Sequence, residues 1–353
     1  MIFFPSIYDA QKSIEVCEKT EKYFEIEKEI SDRILNASLC YYSLLDAIPT
    51  TMENIWSGHS FPFRESSDEL QVSFILCKFG LYKQAMSSLR SALELGLLSI
   101  FYNINDEGHK TVKRWLRSAD TNEANTPRFN DVWKIISEHP NVREFQSKID
   151  LKKRILELGY LHNYVHTKGH KFSNSIGLLK TNSQTFEEKG IENWLIAFEE
   201  IVIVILTLHM LKYPTTMADF DYEKKFGIDV PMFPHIRTGG LDRIKEFLPQ
   251  DYFELIREIS EKDDEAIQFK AWINEHPDIT EEQVEAQLIE QAKRHIENGG
   301  YLNHQNNELV LYRATSIEEL PERVKQRLQA MERWAHETGN YEPKFIIPEK
   351  RKK

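Results

Sequence analysis

Glycine and proline are scarce, at 14 and 13 residues in a chain of 353. Both fall well below ordinary usage, which excludes collagen-like, linker-like and disordered classes. With so few breakers, long helices have room to form. Cysteine is scarcer still: Cys17, Cys40 and Cys77 are odd in number, far apart and without the paired spacing of a zinc site. They read as buried thiols of a reducing compartment, so the expected location is cytoplasmic. Met1 to Pro5 is apolar but carries no basic n-region, and no signal peptide is expected. The most apolar run, Ile201 to Leu211, directly follows Glu199 and Glu200. It is about half the roughly 20 residues needed to cross a bilayer, and predicts a core helix with no membrane partner. A Walker A loop, a Rossmann glycine fingerprint and a Gly-x-Ser-x-Gly elbow are also absent, so no cofactor is expected.

What is present is apolar enough for a core, with 41% hydrophobic residues, and highly charged, with a formal net charge of −11. That acidity weighs against adhesion of the whole molecule to nucleic acid or an anionic membrane. Any polyanion site must be local.

The apolar spacing predicts an all-α protein whose residues 1–213 form an antiparallel helical bundle. Ala10 to Ile48 is helical in character, with Ile14, Leu35, Leu39 and Tyr42 on its apolar seam, and Pro49 stops it. The longest signal runs from Ser67 to Tyr102 through Leu70, Cys77, Leu89, Leu93 and Leu97. Short helices are predicted at His109 to Ala119 and Phe129 to Glu138. A third long helix covers Asn141 to Thr167 and ends near Gly169, and a fourth covers Ile191 to Tyr213. Residues 214–240, with Pro231, Pro234 and Gly239-Gly240, read as a linker. Residues 241–353 read as a mostly helical module. In it Thr280 and Gln283 form a capping-box pattern, and Ser316 with Glu319 opens the last helix. Tyr301 to Asn303 and Leu309 to Tyr312 flank a polar turn and predict a small β-hairpin.

Three sets of residues can carry chemistry. His162, His166 and His170 are four apart, and the first two share a helical face. The geometry can hold a metal, but no carboxylate or thiol stands nearby at ligand spacing, and the ordinary reading is histidines at the surface or in packing. No metal is assigned. Arg90 and Glu94 lie one turn apart beside Leu89, Leu93 and Leu97, which places the pair at the edge of a buried seam. His109, Lys110, Lys113, Arg114 and Arg117 form a basic cluster, either a polyanion site or a solvated face.

The stretch Leu81 to Tyr102 with Ala85, Arg90, Leu93 and Glu94, then Trp115, then Tyr160, Leu161, Tyr164 and His166, resembles a bacterial branch of the HEPN-like helical domains. The likeness spans about residues 67–213. It implies a metal-independent ribonuclease using an Arg and a His four to six residues apart, assembled from two protomers, in a toxin or antiphage setting. Here the positions of the family arginine hold Gly159, Tyr160 and Leu161, and Arg154 lies twelve residues before His166. Arg90, from the neighbouring helix, is expected to approach His166, with Glu94 orienting it and Asn163 or His162 adding a polar contact. His166 would then serve as general acid or base for attack of a ribose 2′-hydroxyl, with Arg90 stabilising the phosphorane charge. In the alternative, Arg90, Glu94 and His166 form a buried polar cluster that fixes helix register.

The C-terminal part resembles, more weakly, a winged helix. Its helix before the wing holds Glu281, Glu282, Glu285, Glu290 and Glu297 against Lys293 and Arg294, which suits a protein partner better than DNA. The expectation is an RNA-directed effector acting as a homodimer. The competing class is a non-catalytic dimeric scaffold that docks a protein partner.

Overall fold

The computed structural model describes residues 9–49, 60–105, 110–118, 126–173, 185–228, 233–237 and 239–344. His109 and the Met1 to Pro5 patch lie outside them. No strand occurs among the described residues. The chain divides into two compact units, Met1–Phe220 with Pro231–Glu275, and Asp221–Val230 with His276–Lys353.

The first unit begins with α1 (Ala10–Ile26), capped by Asp9, which accepts the Gln11 N–H at 2.8 Å. At Glu27 the backbone leaves the helical region (ψ 69°), so the expected single helix over Ala10 to Ile48 is two, with α2 at Lys28–Ala47. The buried face of α2 is Ile34, Ala37, Cys40, Tyr41, Leu44 and Ala47. Leu35, Leu39 and Tyr42, expected on the seam, are exposed. Small side chains at 37, 40 and 47 let α2 pack closely, and that contact turns the larger apolar stripe outward.

The helix expected over Ser67 to Tyr102 is an αα-hairpin of α3 (Phe61–Lys78) and α4 (Tyr82–Asn105). Gly80 makes the turn with φ +73°. Leu81 N–H donates to Leu76 O and Gly80 N–H to Cys77 O, both at 2.9 Å, the pairing of a Schellman cap. The two helices run antiparallel, joined where Ser66 Oγ donates to Ala92 O (2.6 Å) and Ser88 Oγ to Glu69 O (3.1 Å). Apolar residues continue at helical spacing through the turn, which hides it from periodicity.

Next come α5 (Lys110–Leu116), α6 (Phe129–Glu138), α7 (Pro140–Lys148) and α8 (Leu151–Glu157). A 3-10 turn over Leu158–Leu161 then leads into α9 (His162–Val165). The helix expected over Asn141 to Thr167 is therefore broken. Ile149 is extended, and Asp150 accepts the Lys153 N–H at 3.0 Å to start α8.

The centre is α10 (Glu188–Lys212). It is long and apolar enough to cross a membrane, but 83% of its apolar window is buried in the protein. A helix apolar on all sides belongs inside a core. Here α4 comes close enough that a Cβ on Gly96 would lie 2.7 Å from Ile205 Cδ1. Trp194, fully buried, donates its Nε1–H to Ser73 Oγ at 3.2 Å.

The chain contributes α11 (Tyr222–Phe226) to the second unit before α12 (Gly240–Phe247), α13 (Gln250–Ser260) and α14 (Asp264–Glu275) complete the first. The linker expected at 214–240 does not separate these helices from the bundle. Ile244, Leu248, Phe253, Ile256 and Ile259 join the large core, and Tyr252 meets Phe145 edge-on at 5.2 Å.

The second unit holds α15 (Glu281–Gly299), α16 (Tyr301–Leu311) and α17 (Glu322–Thr338). Thr280 and Gln283 form the expected capping box. The expected hairpin at 301–312 is helix α16, and the wing of the winged-helix likeness is absent with it. The polar run His304 to Asn307 is not a turn here. Tyr301 and His304, three apart, are both buried on one face, and Asn303 Nδ2 donates to Gly299 O at 2.7 Å.

Candidate functional site

An open cleft of about 580 Å³ lies in the first unit where α4, α6 and α8 meet. Its walls are apolar. Leu93, Leu97 and Leu98 come from α4, Pro127, Phe129 and Val132 from the start of α6, and Ile155, Leu156 and Leu158 from α8 and the turn after it. Its polar lining is Arg90, Glu94, Thr126, Arg128 and His162.

Arg90 and Glu94 form the pair that their spacing predicts, with Nη2 and Oε1 2.5 Å apart. Their side chains are 25% and 52% exposed, so this is a rim and not a closed internal cluster. Loss of hydration lifts the Glu94 carboxyl above its ordinary range, and Arg90 opposes that shift.

His162, the first residue of α9, lines the cleft with Arg90. His166 sits one turn on, at the helix end, its ring 4.1 Å from that of His162. Partial desolvation, followed by the positive charges of His166, Arg90 and Lys168, holds His162 below the ordinary imidazole range. Both rings are exposed. Asn163 is half-buried on the same turn, and its carbonyl accepts the Lys168 N–H at 3.0 Å. His170 starts a separate 3-10 turn, His170–Phe172. Among the described residues no three His, Cys, Asp or Glu side chains are grouped to hold a metal ion.

The residue after His166 is strained. Thr167 has φ +46°, a region that a β-branched side chain seldom enters, and such a conformation costs about 1–3 kcal/mol. Lys83 Nζ donates to its Oγ1 at 2.7 Å. The positive φ falls directly after His166, the C-cap of α9.

Lys110, Lys113 and Arg114 are exposed on α5, with exposed Arg117 just after it. The same helix carries Trp115, packed 5.5 Å from Tyr102, whose Nε1–H reaches Thr126 Oγ1 at 3.3 Å. Thr126 is a cleft residue, so the basic helix adjoins the rim. Arg154, nearest in sequence to the family's arginine position, is engaged elsewhere. It holds Glu200 with Nη2–Oε1 at 2.8 Å and lies 5.1 Å over the Tyr252 ring.

Sequence reasoning missed Arg128, Phe129 and Thr167. Pro127-Arg128 directly before a predicted helix was a signal for the first two, since a segment entering a helix often borders a cleft. Nothing in the sequence marks Thr167. No protein-family model matches the chain, and no curated protein or solved structure is significantly similar to it.

Proposed function

We propose that the first unit is an RNA-directed effector, a metal-independent ribonuclease working through Arg90, His162 and His166. The observation that supports this reading is the close, tilted pair of imidazoles of His162 and His166, the first of which lines an open cleft together with the Arg90 guanidinium, with a basic helix adjoining its rim. Polyanions are drawn by such local cations even when the whole molecule is acidic.

In this reading His162, held toward its neutral form, takes the proton of a ribose 2′-hydroxyl. The 2′-oxygen bonds to the adjacent phosphorus and the bond to the 5′-oxygen breaks. His166 protonates that leaving oxygen. The products are a 2′,3′-cyclic phosphate and a 5′-hydroxyl end. Arg90 stabilises the extra negative charge on the phosphorus oxygens, and Glu94 keeps the guanidinium aimed. Lys110, Lys113, Arg114 and Arg117 hold the flanking phosphates. A homodimer in antiphage defence and a cytoplasmic setting complete the reading. The exposed stripe Leu35, Leu39 and Tyr42 on α2 is the kind of surface that a second copy buries.

The test is incubation of purified protein with an end-labelled RNA pool in EDTA, followed by analysis of product ends. Cleavage with cyclic-phosphate ends, lost in His162→Ala and His166→Ala, is the expected result. Intact RNA would favour the scaffold reading, for which the exposed Val310, Leu311 and Tyr312 at the end of α16 supply an apolar contact surface.

A further inference from the structure

Phosphate chemistry accounts for the rim of the cleft but not for its interior. A site that handled only a sugar–phosphate backbone would need no apolar slot, yet nine apolar side chains line one of about 580 Å³. That volume is in the range of sites that enclose a small ligand. Leu97 and Leu98 of α4 and Phe129 of α6 share its lining. Phe129 is braced from behind by Trp133, whose ring lies 6.4 Å away at 22°. Two guanidiniums, Arg90 and Arg128, belong to the same lining. A flat apolar ring carrying a phosphate fits this combination, since the ring matches the slot and the phosphate oxygens can accept from the forked guanidiniums.

We propose that this cleft is a nucleotide pocket: one base enters the apolar slot, unstacked from its neighbours, and its phosphate rests between Arg90 and Arg128. Single-strand readers combine aromatic stacking with cations in this way. The nucleotide can be an unpaired residue of an RNA chain or a free mononucleotide. In the first case the pocket selects where the chain is cut, an extension that rests on the ribonuclease reading. Phe129 is then the residue that determines specificity, because it faces the base and not the scissile bond.

Binding can be measured without cleavage. An all-deoxy tetranucleotide, which has no 2′-hydroxyl to attack, and 5′-AMP are titrated by calorimetry into the full chain. Phe129→Leu, which keeps apolar volume but loses the ring, and Arg128→Gln are titrated alongside. The expected result is tetranucleotide binding weakened about tenfold in each variant, with the same strand in a duplex bound at least about tenfold more weakly. Binding of 5′-AMP alone, with the same sensitivity to both variants, supports the pocket and assigns it to a free nucleotide. Absence of binding by both probes overturns the proposal. So does a duplex bound as tightly as the single strand, or an affinity unchanged in Phe129→Leu. Binding that behaves as expected in a chain that cleaves no RNA would reject the ribonuclease reading and leave the pocket standing.

Discussion

In the first unit the buried polar side chains are hydroxyls and imidazoles, and no Asp, Glu, Lys or Arg is buried among its described residues. His209 is typical, fully enclosed against α4 with Nδ1 2.9 Å from Ile205 O and Nε2 3.4 Å from Ser99 Oγ. In the second unit a guanidinium lies inside. The Arg327 side chain is 7% exposed, with Nη1 3.1 Å from Glu285 and Nη2 3.9 Å from Glu308. Buried His304 is close enough to feel that charge. The difference is one of size. A core large enough to stand on apolar burial leaves the first unit's cations for the rim of a cleft. The small cluster around Ile296, Tyr301 and Leu328 draws on an ion-pair network to join its three helices.

Changes made in either unit would break or sharpen that contrast. Trp194→Ala empties the middle of the larger core and is expected to cost about 4 kcal/mol, read as a lower urea midpoint for the first unit alone. Arg327→Ala strands two carboxylates and should cost about 3 kcal/mol, confined to the second unit. If replacing Arg327, Glu285 and Glu308 together by apolar residues of similar size is near neutral, the network supplies register more than stability.

Acid should weaken both units. Burial lowers His209 and His304 to about 4, so each is neutral in the fold and takes a proton on unfolding below about 6.5. The stabilisation is complete above about pH 6.5 and falls toward pH 4, by about 1.4 kcal/mol per pH unit for each histidine. Urea midpoints across that range check it. His209→Gln should reduce the slope of the first unit without abolishing it, because burial lowers His139 and His235 there as well, and His304→Gln should reduce that of the second. Thr167→Gly has the opposite sign. Removing the positive-φ strain should raise stability by about 1 kcal/mol while slowing RNA cleavage, because the turn that places His166 is loosened.

Much of the helical pattern is legible in the sequence, and the exceptions share a cause. Phe129–Glu138 matches its predicted span because prolines and polar residues bound it on both sides. Breaks at Glu27, Gly80 and Ile149 fall inside continuous apolar periodicity, where only the tertiary contacts decide. The same limit explains α2, whose apolar stripe at Leu35, Leu39 and Tyr42 is the stronger pattern but the exposed one. At the cleft, the Arg90–Glu94 and His162–His166 pairs follow from one-turn spacing. That His162 and not His166 shares the cleft lining with Arg90 depends on the 3-10 turn at Leu158–Leu161, which no local pattern announces.

The central claim is that the Arg90 rim serves chemistry and not architecture, and one preparation of Arg90→Ala measured both ways tests it directly. With its side chain a quarter exposed and paired to a half-exposed carboxylate, Arg90 should change the unfolding free energy by no more than about 0.5 kcal/mol. RNA cleavage in EDTA should fall by about a hundredfold or more. Intact RNA with the wild-type chain, together with a loss of more than about 2 kcal/mol in the variant, would contradict the account and make the pair a structural clamp.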